Sequence, residues 1–223
     1  MIQPTTPYIS QEKSLLVTRS YPSADDLYRY PFVHRRVLGY REYNVQVDVF
    51  CIVDGEELSC YEFEGVTCHT GSIEVLGQWI EQREYEQIIV HGLSQFIWPC
   101  LEKAMETTRV IAWLHGSEIH SFHRYATMHQ AAEEQTEAEV KFQLVMVFWR
   151  KLLATMPENL MLVFVSQFAA NDAMQDLGMT LNPSQYTVVP NPIDTELFNY
   201  VPKPRSQRLK VLSIRPFDTT RYA

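Results

Sequence analysis

Glycine is scarce where a nucleotide-binding fold most often uses it. The 223 residues contain 8 glycines. None falls in "SYPSADDLYRYP", the stretch that follows the first apolar run "SLLVT" (14–18). A dinucleotide fold needs G-x-G-x-x-G there, so that backbone can approach a pyrophosphate at a helix N-terminus; that loop is absent. G-x-x-x-x-G-K-[ST] is missing as well, which excludes a P-loop nucleotide hydrolase. No G-x-S-x-G elbow is present, which argues against an α/β-hydrolase. The four cysteines, Cys51, Cys60, Cys68 and Cys100, form no C-x-x-C pair and match no zinc spacing. Reduced thiols of a cytosolic protein are expected. The longest apolar run, "LVMVFW", is too short to span a bilayer. The opening "MIQPTTPYISQEK" lacks the basic and apolar regions of a signal peptide. These absences lead us to expect a soluble, cytoplasmic protein whose membrane contact is at most peripheral. Acidic residues exceed basic ones, and the net charge of −8 disfavours nucleic acid as a partner.

What is present is an alternation of short apolar runs and longer amphipathic segments. Hydrophobic residues make up 46% and charged residues 21%, enough apolar material for a sizeable core. Strands are expected at 14–18, 45–53, 87–92, 109–116, 160–166 and 186–190, with a further short strand near "CYEFEGVTC". Helices are expected at 27–42, 72–84, 95–107, about 128–156 and 167–178, the last stopped by Gly178. Val45, Val47, Val49 and Cys51 share one strand face. Strands that are apolar almost throughout, each followed by a helix, indicate a parallel sheet covered on both faces. The expected class is therefore α/β, a Rossmann-like doubly wound parallel sheet. Ligands of such sheets bind beyond the carboxyl ends of the strands. That rule points to "RSYPSADD", "HGLSQ", "HGSEIHSFHR" and "SQFAAND".

In "HGSEIHSFHR", the spacing of His115, Glu118, His120 and His123 is not that of a helical zinc site. Capping or solvated roles for His120 and His123 explain them more simply than a metal. His115 differs, because Gly116 follows it at a strand end and lets backbone approach a ligand closely. An imidazole there could bond a sugar hydroxyl or phosphate. It could equally be a strand-end histidine bonded to backbone, and the residues alone leave both readings open. Two local basic patches stand against the acidic background. One is Arg35, Arg36 and Arg41; the other is Lys203, Arg205, Arg208, Lys210, Arg215 and Arg221. After Pro190 the texture changes to a proline-rich connector without periodicity. "LKVLSIRP" then reads as a new strand, Leu209–Ile214, the first of a second α/β domain.

"VVPNPIDTELFNY", followed by a basic spacer and "RLKVLSIRPFDTTRYA", resembles the domain junction of glycosyltransferase family 4, the group 1 glycosyl transferases of GT-B fold. That family typically shows a "vPNGvDtelF" stretch, a spacer, and an apolar strand ending in Gly-Arg with a lysine shortly after. "HG" after a central strand and "S" before a helix, in "FVSQFAANDAMQDLG", are similar in outline. Pro192 replaces the usual glycine, and the glycine pair common after the first strand is absent. The resemblance implies that residues 1–200 form an N-terminal acceptor-side domain. Residues 201–223 would be a linker and the start of a truncated donor-binding domain. It implies a retaining enzyme that moves a sugar from a nucleotide-diphosphate sugar donor to a carbohydrate or other hydroxyl acceptor. No cofactor or metal is implied, and little activity is expected of these residues alone. His115 would be catalytic, with Gly116, Ser166, Asn191 and Asp194 near substrate or hinge. Arg215 and Arg221 would meet the donor phosphates, a task suited to a guanidinium fork. A non-catalytic binding or scaffold domain of the same fold is the alternative. A third reading is a membrane-surface helix, "KFQLVMVFWRKLLATM", whose stripe Phe142, Val145, Trp149, Leu152 and Met156 is explained more simply by core burial.

Overall fold

The computed structural model describes residues 13–124, 132–196, 198–202 and 204–207, without the side chains of residues 132–135. The expected strand at Leu209–Ile214, and Arg215 and Arg221 beyond it, lie outside the described residues. One eight-stranded sheet organises the rest, in the order β3-β4-β2-β1-β5-β6-β7-β8. Its strands are β1 (Lys13–Thr18), β2 (Gln46–Ile52), β3 (Ser59–Phe63), β4 (Val66–Gly71), β5 (Gln87–His91), β6 (Arg109–Leu114), β7 (Leu160–Phe164) and β8 (Tyr186–Val188). The helices are α1 (Pro31–Glu42), α2 (Ile73–Glu81), α3 (Trp98–Ala104), α4 (Ala132–Ala154) and α5 (Gln167–Leu177). Every strand pair is parallel except β3 with β4. The chain builds outward from β1 to β2, then returns to the other side at β5. The strand order thus reverses between β1 and β5, where such sheets open a crevice at their carboxyl ends.

Helices cover both faces, as a doubly wound α/β sheet requires. Leu15, Val17, Ile88, Val90, Ala112, Leu162 and Phe164 point to one face, against Leu76 and Trp79 of α2, Leu101 of α3, Trp149 of α4 and Ala173 of α5. Leu16, Val49 and Cys51 point to the other, against Val33 and Val37 of α1. Alternate residues of each central strand are therefore buried on opposite sides, which is why those strands read as continuous apolar runs. Trp149 is fully buried and Leu152 nearly so, and the α4 stripe belongs to this core. Among the described residues, no helix is long and apolar enough to cross a membrane.

Three local features depart from expectation. The short strand near "CYEFEGVTC" is a hairpin, β3 and β4, joined by Glu64 and Gly65 with φ of 46° and 73°. Two left-handed residues fit a two-residue hairpin turn, and Glu at the first of them gives little sequence signal. This antiparallel edge strand makes the sheet mostly rather than wholly parallel. Helix α1 starts at Pro31 rather than 27. A residue before proline is pushed out of helical geometry, and Tyr30 adopts φ 48°. Upstream, Asp26 accepts from the Tyr28 amide and the Arg29 guanidinium, which fixes a turn. Finally, Arg35, Arg36 and Arg41 do not form a basic patch. Arg35 pairs with Asp194, Arg36 is buried, and Arg41 donates to the Gly65 carbonyl.

Candidate functional site

A cavity of ≈ 850 Å³ opens at the carboxyl ends of the central strands. Arg19 follows β1, His91 ends β5 and Gly92 follows it, His115 follows β6, and Val165 follows β7; all line it. Helix α4 supplies a wall through Val140, Leu144 and Phe148. Tyr30 and Phe32 close the side next to α1, and Asn191 reaches in from the segment after β8. Placement follows from register. β5 and β6 pair His91 with Trp113, so His115 stands two residues beyond His91's partner. Gly92 and Gly116 both have positive φ, 79° and 129°, and each lets the chain turn away directly after its histidine.

The two histidines meet. His91 Nδ1 lies 3.0 Å from His115 Nε2, with ring centroids 5.3 Å apart. His115 also packs on Phe32 at 4.6 Å, and its backbone N–H donates to the Glu118 carboxylate. Burial pushes the His115 pKa down to about 4, helped by the positive charge of Arg36. Burial lowers His91 well below the usual range too, with His115 and Arg36 adding to it. Both rings are therefore neutral at pH 7, and one N–H joins them. His91 Nε2 is buried with no partner. A bare ring nitrogen is easier to leave unpaired than an N–H, because orphaned donors are the rarer case in proteins. That favours His91 donating from Nδ1 and His115 accepting at Nε2, so the proton of His115 resides on Nδ1.

Arg36 supports this arrangement from α1. Its guanidinium stacks 3.5 Å from the Trp113 ring centroid and donates to the Pro190 carbonyl at 3.4 Å and to Asn191 Oδ1 at 3.2 Å. Trp113 in turn lies nearly parallel to His91, at 5.7 Å and 14°. Burial lowers the Arg36 pKa, with Tyr40 opposing. Among the described residues four buried side-chain polar atoms lack a partner: Arg36 Nε, His91 Nε2, Ser94 Oγ and Asp176 Oδ1. Two of the four, on His91 and Ser94, belong to residues that line this cavity, and Arg36 holds a third lining residue, Asn191. Unpaired buried polar atoms are rare enough that such grouping marks a functional surface.

Of the residues singled out from sequence, His115 and Asn191 line the cavity together. Gly116 turns the chain beside them. Ser166 is the N-cap of α5, its hydroxyl accepting from the Ala169 amide at 3.0 Å, and it does not line the cavity. Asp194, in the segment after β8, pairs with Arg35 of α1 at 3.4 Å. His120 is buried with Nε2 3.5 Å from the Ala169 carbonyl, whereas the His123 side chain is mostly exposed. Among the described residues no group of three or more His, Cys, Asp or Glu could hold a metal ion. The strand-end rule took in His91 through "HGLSQ" without singling it out, whereas Arg36 and Trp113 were not expected in the site. One sign of His91 was legible: "IIVHG" and "AWLHG" each end an apolar strand in His-Gly. Nothing in the spacing of Arg36 marks it as more than one face of a helix.

The fold and cavity define a mostly parallel, Rossmann-like α/β domain with a ligand-sized crevice beside its topological switch point. No protein-family model matches the chain, and no curated protein matches it in sequence. Three solved structures are similar to the chain. One is described as "Trehalose-6-phosphate from E. coli bound with UDP-2-fluoro glucose", at 10% identity and TM-score 0.49, covering 90% of this chain and 52% of that one. The apo structure of OtsA is 11% identical with TM-score 0.45, covering 90% and 54%. An alpha,alpha-trehalose-phosphate synthase (UDP-forming) from Burkholderia vietnamiensis is 11% identical with TM-score 0.42, covering 79% and 45%. The chain spans about half the length of these structures.

Proposed function

We propose that this chain is the acceptor-side domain of a retaining glycosyltransferase that uses nucleotide-sugar donors and resembles family 4 at its "VVPNPID" segment. The observation that supports this best is the neutral His91–His115 pair at the strand ends, with Asn191 of that segment in the same cavity. A neutral imidazole N–H donates to a hydroxyl without drawing a proton from it. Aromatic rings beside it, Tyr30 and Phe32, suit the apolar face of a sugar ring. The domain's contribution to transfer is then orientation: holding an acceptor hydroxyl in line with the donor's anomeric carbon. The departing group is the donor's own diphosphate, so the proposal requires no cofactor. Cations outside the described residues, Arg215 and Arg221, are assigned to that diphosphate.

Binding tests the proposal. Methyl glycosides should bind the chain weakly, with Kd near 1 mM, about −4 kcal/mol, and UDP or GDP more weakly still. His115→Ala should abolish glycoside binding as read by saturation-transfer NMR. Micromolar binding of a nucleoside diphosphate would overturn the acceptor-side assignment. One observation favours a non-catalytic binding domain instead: Arg36, the buried cation next to the cavity, is already committed to Asn191, Pro190 and Trp113. Glycoside binding that survives loss of His115 supports that second reading.

A further inference from the structure

We propose that the cavity takes an uncharged, amphiphilic hydroxyl compound: a sugar or polyol head at His115 and Asn191, and an apolar chain or ring along Phe96 and Leu144. The inference rests on the acceptor-side reading above and adds the class of acceptor.

Charge is the first argument. Among the described residues, the charged side chains lining the cavity are Arg19, Lys141, Glu118 and Glu137, two of each sign. Arg19 is held by both carboxylate oxygens of Asp54 at 3.2 Å. Lys141 follows Glu137 by four residues on α4, the spacing at which such a pair attracts on one helix face. Glu118 accepts from the backbone at His115. Both imidazoles are neutral at pH 7. A phosphate or carboxylate on the ligand would thus find no spare buried cation among the described residues, stand beside two carboxylates, and lose its hydration uncompensated. A hydroxyl head meets what is there: the His115 imidazole and the Asn191 amide.

Apolar surface is the second argument, and it is independent of charge. Phe96 is 59% exposed, Val140 54% and Leu144 52%, and all three line this cavity. Val140, Leu144 and Phe148 recur every four residues along α4 and so form one apolar strip. Phe96 faces it from the loop after β5. Large apolar side chains left wet around a concave site mark what the site covers when occupied. The polar groups lie at the strand ends and the apolar strip along α4, so a ligand that satisfies both has a polar head and an apolar tail.

Calorimetry on the whole chain separates the possibilities, with octyl β-glucoside below its micelle concentration, methyl β-glucoside, glucose 6-phosphate and n-octanol as probes. Octyl glucoside should bind about tenfold more tightly than methyl glucoside, the gain from burying roughly two methylene groups. Phe96→Ala with Leu144→Ala should remove that gain and leave methyl glucoside unchanged; both side chains are more than half exposed, so the variant should fold. Glucose 6-phosphate should bind no more tightly than methyl glucoside. If the phosphate binds best, or octyl and methyl glucosides bind alike, the acceptor class is wrong while the glycosyltransferase reading stands. If octanol matches octyl glucoside, the sugar head contributes nothing, and both readings fall together.

Discussion

At the scale of single residues, the His91–His115 pair makes the sharpest claims. Because His91 donates, His115 should carry its proton on Nδ1. Long-range nitrogen–proton NMR on ring-labelled protein reads this directly. In His91→Ala the acceptor role of Nε2 is lost, and His115 should shift toward the Nε2–H form that free imidazole side chains favour. An unchanged tautomer would show that His91 merely packs. The same burial has a consequence for stability. A histidine whose folded pKa lies below its unfolded value resists protonation only when folded. Its contribution is therefore intact above about pH 6.5 and is lost as pH falls toward about 4. Denaturant midpoints of the wild type should fall across that window, by up to roughly 3 kcal/mol from His115 alone. His115→Asn should flatten this part of the profile, and a profile equally steep in the variant would place the titration elsewhere. His115 itself was legible in sequence because an apolar run ends on it and a glycine follows. That His91 meets it was not, since which strands are neighbours, and in what register, is a tertiary fact.

At the scale of elements, sequence periodicity located the strands and helices well wherever both faces of an element are buried. β1, β5, β6 and β7 each carry an unbroken apolar run, and α5 carries its own stop at Gly178, φ 66°. It did less well at the edge. β3 is half in water, so its pattern is mixed, and the hairpin to β4 stayed hidden. Loops were the least legible, because long-range polar contacts hold them. The loop after β6 is one case: Arg124 reaches α5, with Nε 2.7 Å from Asp176 and Nη1 2.7 Å from Asp172. The Ser121 amide also donates to Asp176 at 2.8 Å. Burial alone would raise the Asp176 pKa, but Arg124 and Ser121 outweigh it and hold the carboxyl below its usual range. Arg124→Met removes the cation and leaves a buried carboxylate held by Ser121, with His123 3.9 Å away. A loss of about 3 kcal/mol at pH 7 is expected from urea unfolding. A loss under about 1 kcal/mol would mean that the loop is fixed by its other contacts.

At the scale of the whole molecule, the two ends of the domain's topology are tied by α1. Arg36 spans 154 residues of sequence to reach Pro190, and 155 to reach Asn191. Arg35 reaches Asp194 beside it. Consecutive arginines on one helix thus hold the segment that leaves the edge strand β8, and this clamp is what sets Asn191 in the cavity. β8 is only three residues long and sits at the sheet edge, so its own ladder offers limited anchorage. The clamp should therefore dominate the local stability of residues 189–196. Arg36→Met keeps an apolar body over Trp113 while removing the donors to Pro190 and Asn191. Hydrogen exchange followed by mass spectrometry should then show faster exchange in peptides covering 189–196. Peptides from β1, β5 and β6, whose protection comes from the central ladder, should exchange as before. His115 should respond as well. The Arg36 charge holds its pKa down, so the variant should titrate at higher pH, while burial keeps it below an exposed histidine. Unchanged exchange in 189–196 together with an unchanged His115 titration would show that α1 neither anchors this segment nor acts on the site.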